Sequence, residues 1–305
     1  MAKYVKPVVL AGMLVLLAVF LRHTDFQSVG ASLSLVGYRF SALLLTTFAA
    51  YFLGTISWKY CLGDKSGEIS ATRLFFVRHI GETAALLNPA GMVGGEAVKV
   101  LLLKDHGIAA KSATASIVMA RVIMVITQLL VAGIALAFFL AKEPGITIPP
   151  GKLLLYSPVV PLVLAAGWFG LRYLAGKSPE FMQLFKNSRK KLLYACFFAA
   201  LHWVVGGLEF YFILRFLGHP VTMTDALAAD MGVVFFKVAG TFIPGQLGIE
   251  EYGNKVMLSA IGLPGAGLWV TASILRRARQ LTWIVFGVVL YFVLYNGRKI
   301  PQQEV

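Results

Sequence analysis

The feature that most constrains the fold is a short motif that occurs twice in an apolar chain. Residues 88–96 read Asn-Pro-Ala-Gly-Met-Val-Gly-Gly-Glu, and residues 243–251 read Ile-Pro-Gly-Gln-Leu-Gly-Ile-Glu-Glu. Both contain Pro, then Gly, then Gly-x-Glu. Pro and Gly break helices, and a carboxylate in an apolar segment is costly unless a partner receives it. Each copy therefore predicts a broken helix that carries a charged side chain.

The two copies also have similar downstream sequences. Glu96 and Glu250 are 154 positions apart, and the tripeptide Ala-Ser-Ile recurs after 157 positions, beginning at Ala115 and Ala272. An arginine comes within a few residues of each tripeptide. Because this order is kept at a nearly constant spacing, we infer an internal repeat.

Composition decides the class of protein that contains this repeat. Of the 305 residues, 58% are hydrophobic and 14% are charged, and the mean hydropathy is +0.77. Such a chain has too little polar surface for a soluble fold, so we expect one integral membrane domain over residues 1–305. The net charge of +14 comes from basic residues that flank apolar segments, which excludes a nucleic-acid partner. The two cysteines are far apart, so neither a disulfide nor a metal site is expected.

The apolar segments predict an all-α polytopic membrane protein. Six apolar segments are predicted to cross the bilayer: 8–21, 37–62, 112–141, 153–175, 192–217 and 268–295. Residues 73–104 and 222–261 are apolar but interrupted by polar residues, and each half is too short for about 30 Å of hydrocarbon. We therefore predict six crossings plus two re-entrant hairpins. Full crossing by both hairpins would instead give ten spans.

The basic residues orient these segments. Seventeen lie near membrane ends on the side of the N-terminus and six on the other side. Positive residues concentrate in the cytoplasm, so both termini are predicted to be cytoplasmic. Repeat one, 37–141, and repeat two, 192–296, begin three crossings apart and therefore point in opposite directions. Inverted repeats with broken helices are typical of secondary transporters.

Two arginines lie deep within the predicted crossings. Arg121 and Arg276 are about 12–14 Å from the starts of their spans. A charge there costs about 2.5–3.5 kcal/mol unless it faces a partner or water, and we expect Glu96 and Glu250 to be the partners. These pairs either lock each hairpin to the next helix or leave positive charge for an anion. The second repeat carries more basic than acidic residues, which favours an anion such as a lipid phosphate.

The turns have two interpretations as well. Glycine allows a tight turn, and a glutamate in the first helical turn interacts favourably with the helix dipole. Both roles would be purely structural. The functional interpretation is that free N–H groups at the half-helix start hold an anionic group. No cofactor is expected. The candidate substrate-binding residues are Asn88, Pro89, Gly91, Gly94, Glu96, Arg121, Pro244, Gly245, Gly248, Glu250, Glu251, Arg276 and Arg277.

The first copy, continued by Leu101-Leu102, Gly107 and Ala115-Ser116-Ile117 up to Arg121, resembles the flippase-like family typified by the membrane region of bacterial lysylphosphatidylglycerol synthase. The second copy fits the same family. The resemblance implies lipid movement between leaflets. In the synthase a separate soluble domain transfers the aminoacyl group, and the chain ends at Val305 without one, so we expect translocation rather than synthesis. The resemblance does not carry over a substrate.

These observations predict a lipid translocase of the bacterial inner membrane that moves a polar, anionic headgroup. Its partners would be the lipid and enzymes of lipid biosynthesis, and the oligomeric state is open. One alternative is a membrane-embedded enzyme, since Glu250-Glu251 and His202 partly match the motifs of intramembrane prenyl-protein proteases. The other is an accessory subunit of a lipid-synthesis complex, in which the buried charges would have no transport role.

Overall fold

The computed structural model describes residues 26–87, 91–142, 189–239 and 248–295, and these residues are helical with no strand among them. A helix satisfies all of its backbone hydrogen bonds internally, which a bilayer demands. The helices are α1 Phe26–Val36, α2 Phe40–Cys61, α3 Ala71–Leu87, α4 Gly91–Lys104, α5 Ala110–Lys142, α6 Arg189–Phe216, α7 Met223–Ala239, α8 Ile249–Ala260 and α9 Ala266–Tyr295. Short 3-10 turns, Gly37–Arg39 and Gly63–Gly67, follow α1 and α2.

Four helical stretches are long and apolar enough to cross a membrane. They are Gln27–Cys61, Ala110–Ala135, Arg189–Phe216 and Gly267–Leu294. They correspond to four of the six predicted crossings. The other two, 8–21 and 153–175, lie outside the described residues. The all-α membrane class is confirmed, and the count of six stays a prediction.

The two interrupted regions each form a pair of shorter helices. Helices α3 and α4 contain 17 and 14 residues, and α7 and α8 contain 17 and 12. At 1.5 Å per residue these helices are about 18–26 Å long, less than the hydrocarbon thickness. Within each pair the two helices pack against each other. These dimensions fit two broken hairpins; the connecting residues 88–90 and 240–247 are outside the described parts.

The second arm of each hairpin ends in the same way. After α4, Gly107 has φ 82° and the Ile108 N–H donates to the Leu103 carbonyl; after α8, Gly262 has φ 83° and the Leu263 N–H donates to the Leu258 carbonyl. This is the Schellman cap, in which glycine tolerates the left-handed conformation. The local structure therefore repeats where the sequence does.

The two halves of the structure, α2–α5 and α6–α9, also make matching contacts. The first arm of each hairpin packs on the long helix of the other half, α3 on α9 and α7 on α5. Likewise α2 contacts α3 and α5, while α6 contacts α7 and α9, and α2 packs along α6 at the centre. Exchanging the halves thus maps most helix contacts onto others, although α5 also packs on α6 and α1 on α9 without equally extensive counterparts. The opposite direction of the two copies in the membrane stays a prediction.

Each hairpin rests on its own apolar core. Leu74, Leu103 and Ile117 belong to the core beneath the first hairpin. Phe210 and Leu258 belong to the core beneath the second. The charged residues of the hairpins therefore lie next to packed apolar cores, where a buried charge needs a partner.

Candidate functional site

Four charged side chains from α3, α4 and α5 form the first cluster. They are Glu82, Glu96, Lys99 and Arg121. Arg121 Nη2 lies 2.9 Å from Glu82 Oε1 and 2.5 Å from Glu96 Oε1. Lys99 Nζ lies 2.7 Å and 3.3 Å from the same two oxygens. Both carboxylates are shared by both cations, so the cluster ties the two arms of the hairpin to α5.

Close approach of the hairpin arms makes this sharing possible. A Cβ added at Gly95 would lie 2.5 Å from the Gly81 carbonyl oxygen and 2.6 Å from Ala85 Cβ. A Cβ added at Gly81 would overlap the Lys99 side chain. A larger residue at either glycine would push the arms apart, and the ion pairs between them would lengthen.

The first cluster is partly open to its surroundings. The side chains of Arg121 and Glu82 are 38% and 37% exposed, whereas Lys99 is 5% exposed and stacks 5.9 Å from the Trp58 ring centre. Arg121 lies 11 residues into the apolar stretch Ala110–Ala135, so it is about 16 Å from the start. An exposed charge at that depth has to face water or a polar group.

Eight charged side chains from α6 to α9 form the second cluster. They are Glu209, Asp230, Lys237, Glu250, Glu251, Arg276, Arg277 and Arg279. Arg276 is its centre: Nη2 lies 2.8 Å from Asp230 Oδ1, and Nε lies 3.2 Å from Glu250 Oε1. Lys237 Nζ lies 3.4 Å from the same Glu250 oxygen. This arrangement joins both arms of the second hairpin to α9.

The Arg276 guanidinium is held on its other sides as well. Nη1 donates to Asn254 Oδ1 at 3.4 Å, and Asn254 Nδ2 donates to Ser273 Oγ at 2.8 Å. The guanidinium carbon lies 4.9 Å from the centre of the Phe210 ring. The side chains of Arg276 and Asp230 are only 5% and 8% exposed. The centre of the second cluster is therefore closed.

Glu251 has a local structural role. Its Oε2 accepts a hydrogen bond of 2.8 Å from the Gly248 N–H, which caps the start of α8. Its Oε1 pairs with Arg277 Nη2. A carboxylate at this position also interacts favourably with the helix dipole. The same side chain thus fixes where α8 begins and where α9 lies beside it.

Tyr51 on α2 connects cations of the two halves. Arg279 Nε lies 2.7 Å from Glu209 Oε1, and its Nη1 donates to the Tyr51 hydroxyl at 3.0 Å. The Tyr51 backbone carbonyl accepts a hydrogen bond of 2.8 Å from Arg78 Nη1. Arg78 stands beside the first cluster, so one residue contacts cations from both hairpin regions.

The buried histidines are hydrogen-bonded to the backbone. His79 Nε2 lies 2.8 Å from the Trp283 carbonyl, and His202 Nδ1 lies 2.6 Å from the Ala50 carbonyl. A carbonyl can only accept, so each of these nitrogens donates. Within the described ranges no group of three His, Cys, Asp or Glu side chains could hold a metal ion.

Comparison with known proteins places this arrangement in a family. The family model described as the lysylphosphatidylglycerol synthase TM region matches residues 5–288. The chain belongs to this family. No curated protein and no solved structure matches it. Membership confirms the resemblance seen in the motifs and makes this a membrane protein related to lipid-modifying and flippase proteins.

In this member of the lysylphosphatidylglycerol synthase transmembrane family, the structure brings together the two pairs expected within the repeats. Arg121 contacts Glu96, and Arg276 contacts Glu250. Gly91 begins α4, Gly94 lies in its first turn, and Gly248 precedes α8. The remaining candidates, Asn88, Pro89, Pro244 and Gly245, lie outside the described residues. A substrate-binding role for the whole set stays a prediction.

Several partners in the two clusters cannot be found from the repeated motifs. Glu82, Asp230 and Glu209 complete the clusters from helices that precede the motifs. The count of basic residues near membrane ends assigned Lys99 to the cytoplasmic end of its segment. Lys99 nevertheless lies three residues after Glu96 and so shares its helix face. The same count assigned Arg78 there too, whereas Arg78 bonds to α2. Without these two, the basic residues still number fifteen against six.

The balance of charge differs from the expectation for the second repeat. The second cluster contains four cations and four carboxylates, so its described members leave no positive excess. The acids that balance it, Asp230 and Glu209, come from α7 and α6. In the first half, two carboxylates face Lys99 and Arg121 with Arg78 beside them. Among these described side chains, the excess positive charge therefore lies beside the first cluster.

Proposed function

We propose that the protein moves a lipid with a polar, phosphate-containing headgroup between the leaflets of the bacterial inner membrane. The headgroup would enter at the first cluster, and the acyl chains would stay in the bilayer. Family membership supports a lipid-related role. The phosphate follows from the positive excess beside the first cluster, and it sharpens the expectation of an anionic headgroup.

One observation carries the proposal: Arg121 and Glu82 are each more than a third exposed although they lie among apolar helices. Charged side chains within a membrane segment mark substrate or ion pathways when they face a cavity or water. The partial exposure leaves an approach for a charged group.

The matching contacts of the two halves support a transport cycle. If the copies are inverted, as their order along the chain predicts, rocking of one half against the other would expose the site to each leaflet in turn. The contacts of α3 with α9 and of α7 with α5 would be the surfaces that slide. Both termini would be cytoplasmic, and enzymes of lipid biosynthesis would supply the lipid.

The test is lipid movement in proteoliposomes. Purified protein would be reconstituted with fluorescent phosphatidylglycerol, and dithionite would quench the probe in the outer leaflet. We expect the wild type to make inner-leaflet probe accessible. We expect Glu96→Gln to reduce this rate at least about tenfold, because the substitution removes the charge shared by Arg121 and Lys99.

Glu68→Gln is the matched control. Glu68 also pairs with a lysine, Lys65, at 2.6 Å, but that pair is exposed in a turn away from the hairpins. We expect this variant to transport like the wild type. Equal rates in Glu96→Gln and the wild type would assign the first cluster to structure alone. Loss of transport in both variants would show that the assay does not report on the cluster.

The contacts of the candidate acids and histidine do not favour a membrane-embedded enzyme. His202 donates to the Ala50 carbonyl and packs α6 against α2. Glu250 and Glu251 pair with arginines, and Glu251 also caps α8. These contacts give each residue a structural role.

A further inference from the structure

Arg78 lies beside the first cluster, in a space left open by a glycine on α2. It lies four residues before Glu82 on α3, so the two side chains share a helix face. Its Nη1 donates to the Tyr51 carbonyl on α2 at 2.8 Å. A Cβ at Gly54 would overlap the Arg78 guanidinium, so the missing side chain at that position makes room for it.

The charge of Arg78 is not matched by a carboxylate. No carboxylate among the residues that the structure describes lies within ion-pair distance of Arg78, whereas Lys99 and Arg121 each contact two. Arg78 still lies close enough to interact electrostatically with Glu82 and Arg121. Three cations thus share two carboxylates, which leaves one positive charge in excess.

The guanidinium also has hydrogen-bonding capacity to spare. It carries five N–H groups, one bonds to the Tyr51 carbonyl, and the others meet no acceptor in the described parts of the chain. An unsatisfied donor within a membrane costs several kcal/mol. Arg78 is half-buried, so part of its side chain is exposed. A phosphate offers two oxygens in the planar geometry that a guanidinium prefers.

We propose that Arg78 is the phosphate-binding residue of this protein and that Glu82 and Arg121 border the bound group. The inference deepens the proposed function and rests on it for the source of the phosphate, a lipid headgroup. A free phosphate ion offers the same chemistry, so the experiment has to distinguish the two sources.

The test is ligand-dependent thermal stabilisation of the full chain in detergent. Three probes would be titrated: dihexanoyl-phosphatidylglycerol, inorganic phosphate, and dihexanoylglycerol, which lacks a phosphate. We expect the phosphatidylglycerol to raise the melting temperature and dihexanoylglycerol to have no comparable effect. Stabilisation by inorganic phosphate alone would assign the site to a soluble anion. Equal stabilisation by dihexanoylglycerol would overturn the proposal.

Two substitutions test whether phosphate binding depends on Arg78 in particular or on positive charge in general. Arg78→Gln should weaken the phosphate-dependent stabilisation at least about tenfold in apparent affinity. Arg73→Gln is the matched control, because Arg73 is an exposed arginine on the same helix. Its affinity should stay that of the wild type. Equal affinity in Arg78→Gln and the wild type would overturn the assignment.

A second variant keeps the test decisive if Arg78→Gln does not fold. Gly54→Ala leaves the charge in place but displaces the guanidinium, so it should also weaken phosphate binding. Gly133→Ala is its control, since a Cβ there meets nothing within 4 Å. Unchanged affinity in Gly54→Ala would overturn the proposal. Binding is measured without transport, so phosphate binding through Arg78 with no lipid movement would contradict the proposed function alone.

Discussion

The two charge clusters contain the same kinds of residue but differ in exposure and charge balance. Each joins a carboxylate on the first arm of a hairpin, a glutamate on the second arm and an arginine on the following long helix. The first is partly exposed and stands beside an unmatched arginine, while the centre of the second is enclosed and its charges balance. A duplicated motif therefore specifies the ion pairs, but the surrounding helices decide whether the cluster can accept a ligand.

The largest expected effect is on the closed cluster. Arg276→Ala should lower the free energy of unfolding by about 3–5 kcal/mol, because it leaves Asp230 and Glu250 buried without their shared cation. Thermal unfolding in detergent measures this loss. Arg121→Ala is the comparison. If it destabilises the protein as much as Arg276→Ala, the two clusters do not differ as described.

The second largest expected effect on stability is steric and lies in the first hairpin. Gly95→Val should lower the free energy of unfolding by about 1–3 kcal/mol, because its side chain meets the Gly81 carbonyl and Ala85 across the hairpin. Separation of the arms should also abolish lipid movement. Gly133→Ala, at an open helical position, is the control for adding a side chain. Unimpaired transport in Gly95→Val would show that the cluster tolerates wider spacing.

The link between the halves predicts a smaller effect. Tyr51→Phe removes the hydrogen bond from Arg279 but keeps both the ring and the backbone bond to Arg78. We expect a loss of about 0.5–1.5 kcal/mol in the free energy of unfolding, because one hydrogen bond is lost while Glu209 still holds Arg279. Tyr60→Phe, on the same helix, controls for the loss of a hydroxyl. A change in phosphate affinity in Tyr51→Phe alone would show that the halves are coupled.

The smallest expected effect on stability is at the open cluster. Arg121→Gln should change the free energy of unfolding by less than about 1 kcal/mol, because Lys99 still contacts both carboxylates and partly exposed ion pairs contribute little. Its transport rate should nevertheless fall at least about tenfold. A stability loss as large as that of Arg276→Ala would mean that the first cluster is structural, like the second.

Much of the fold could be predicted because it depends on short-range order. Apolar length and Pro-Gly interruptions indicated the helices, and α5 and α9 lie close to the predicted segments 112–141 and 268–295. The Glu96–Arg121 and Glu250–Arg276 pairs could be predicted from segments that are neighbours along the chain. Charge counting placed Lys99 at a membrane end, because hydropathy cannot tell a flanking lysine from one that faces a carboxylate.

The sequence by itself determined that this is an all-helical membrane protein with two interrupted apolar regions, each with a glutamate and an arginine within reach. A bilayer requires internally satisfied backbones and paired charges, and both requirements can be read along the chain. Only the tertiary structure decided that Glu209 and Tyr51 meet Arg279, that Arg78 is left unmatched, and that the first cluster is the open one. These contacts join helices far apart in sequence, so they depend on how the two halves pack.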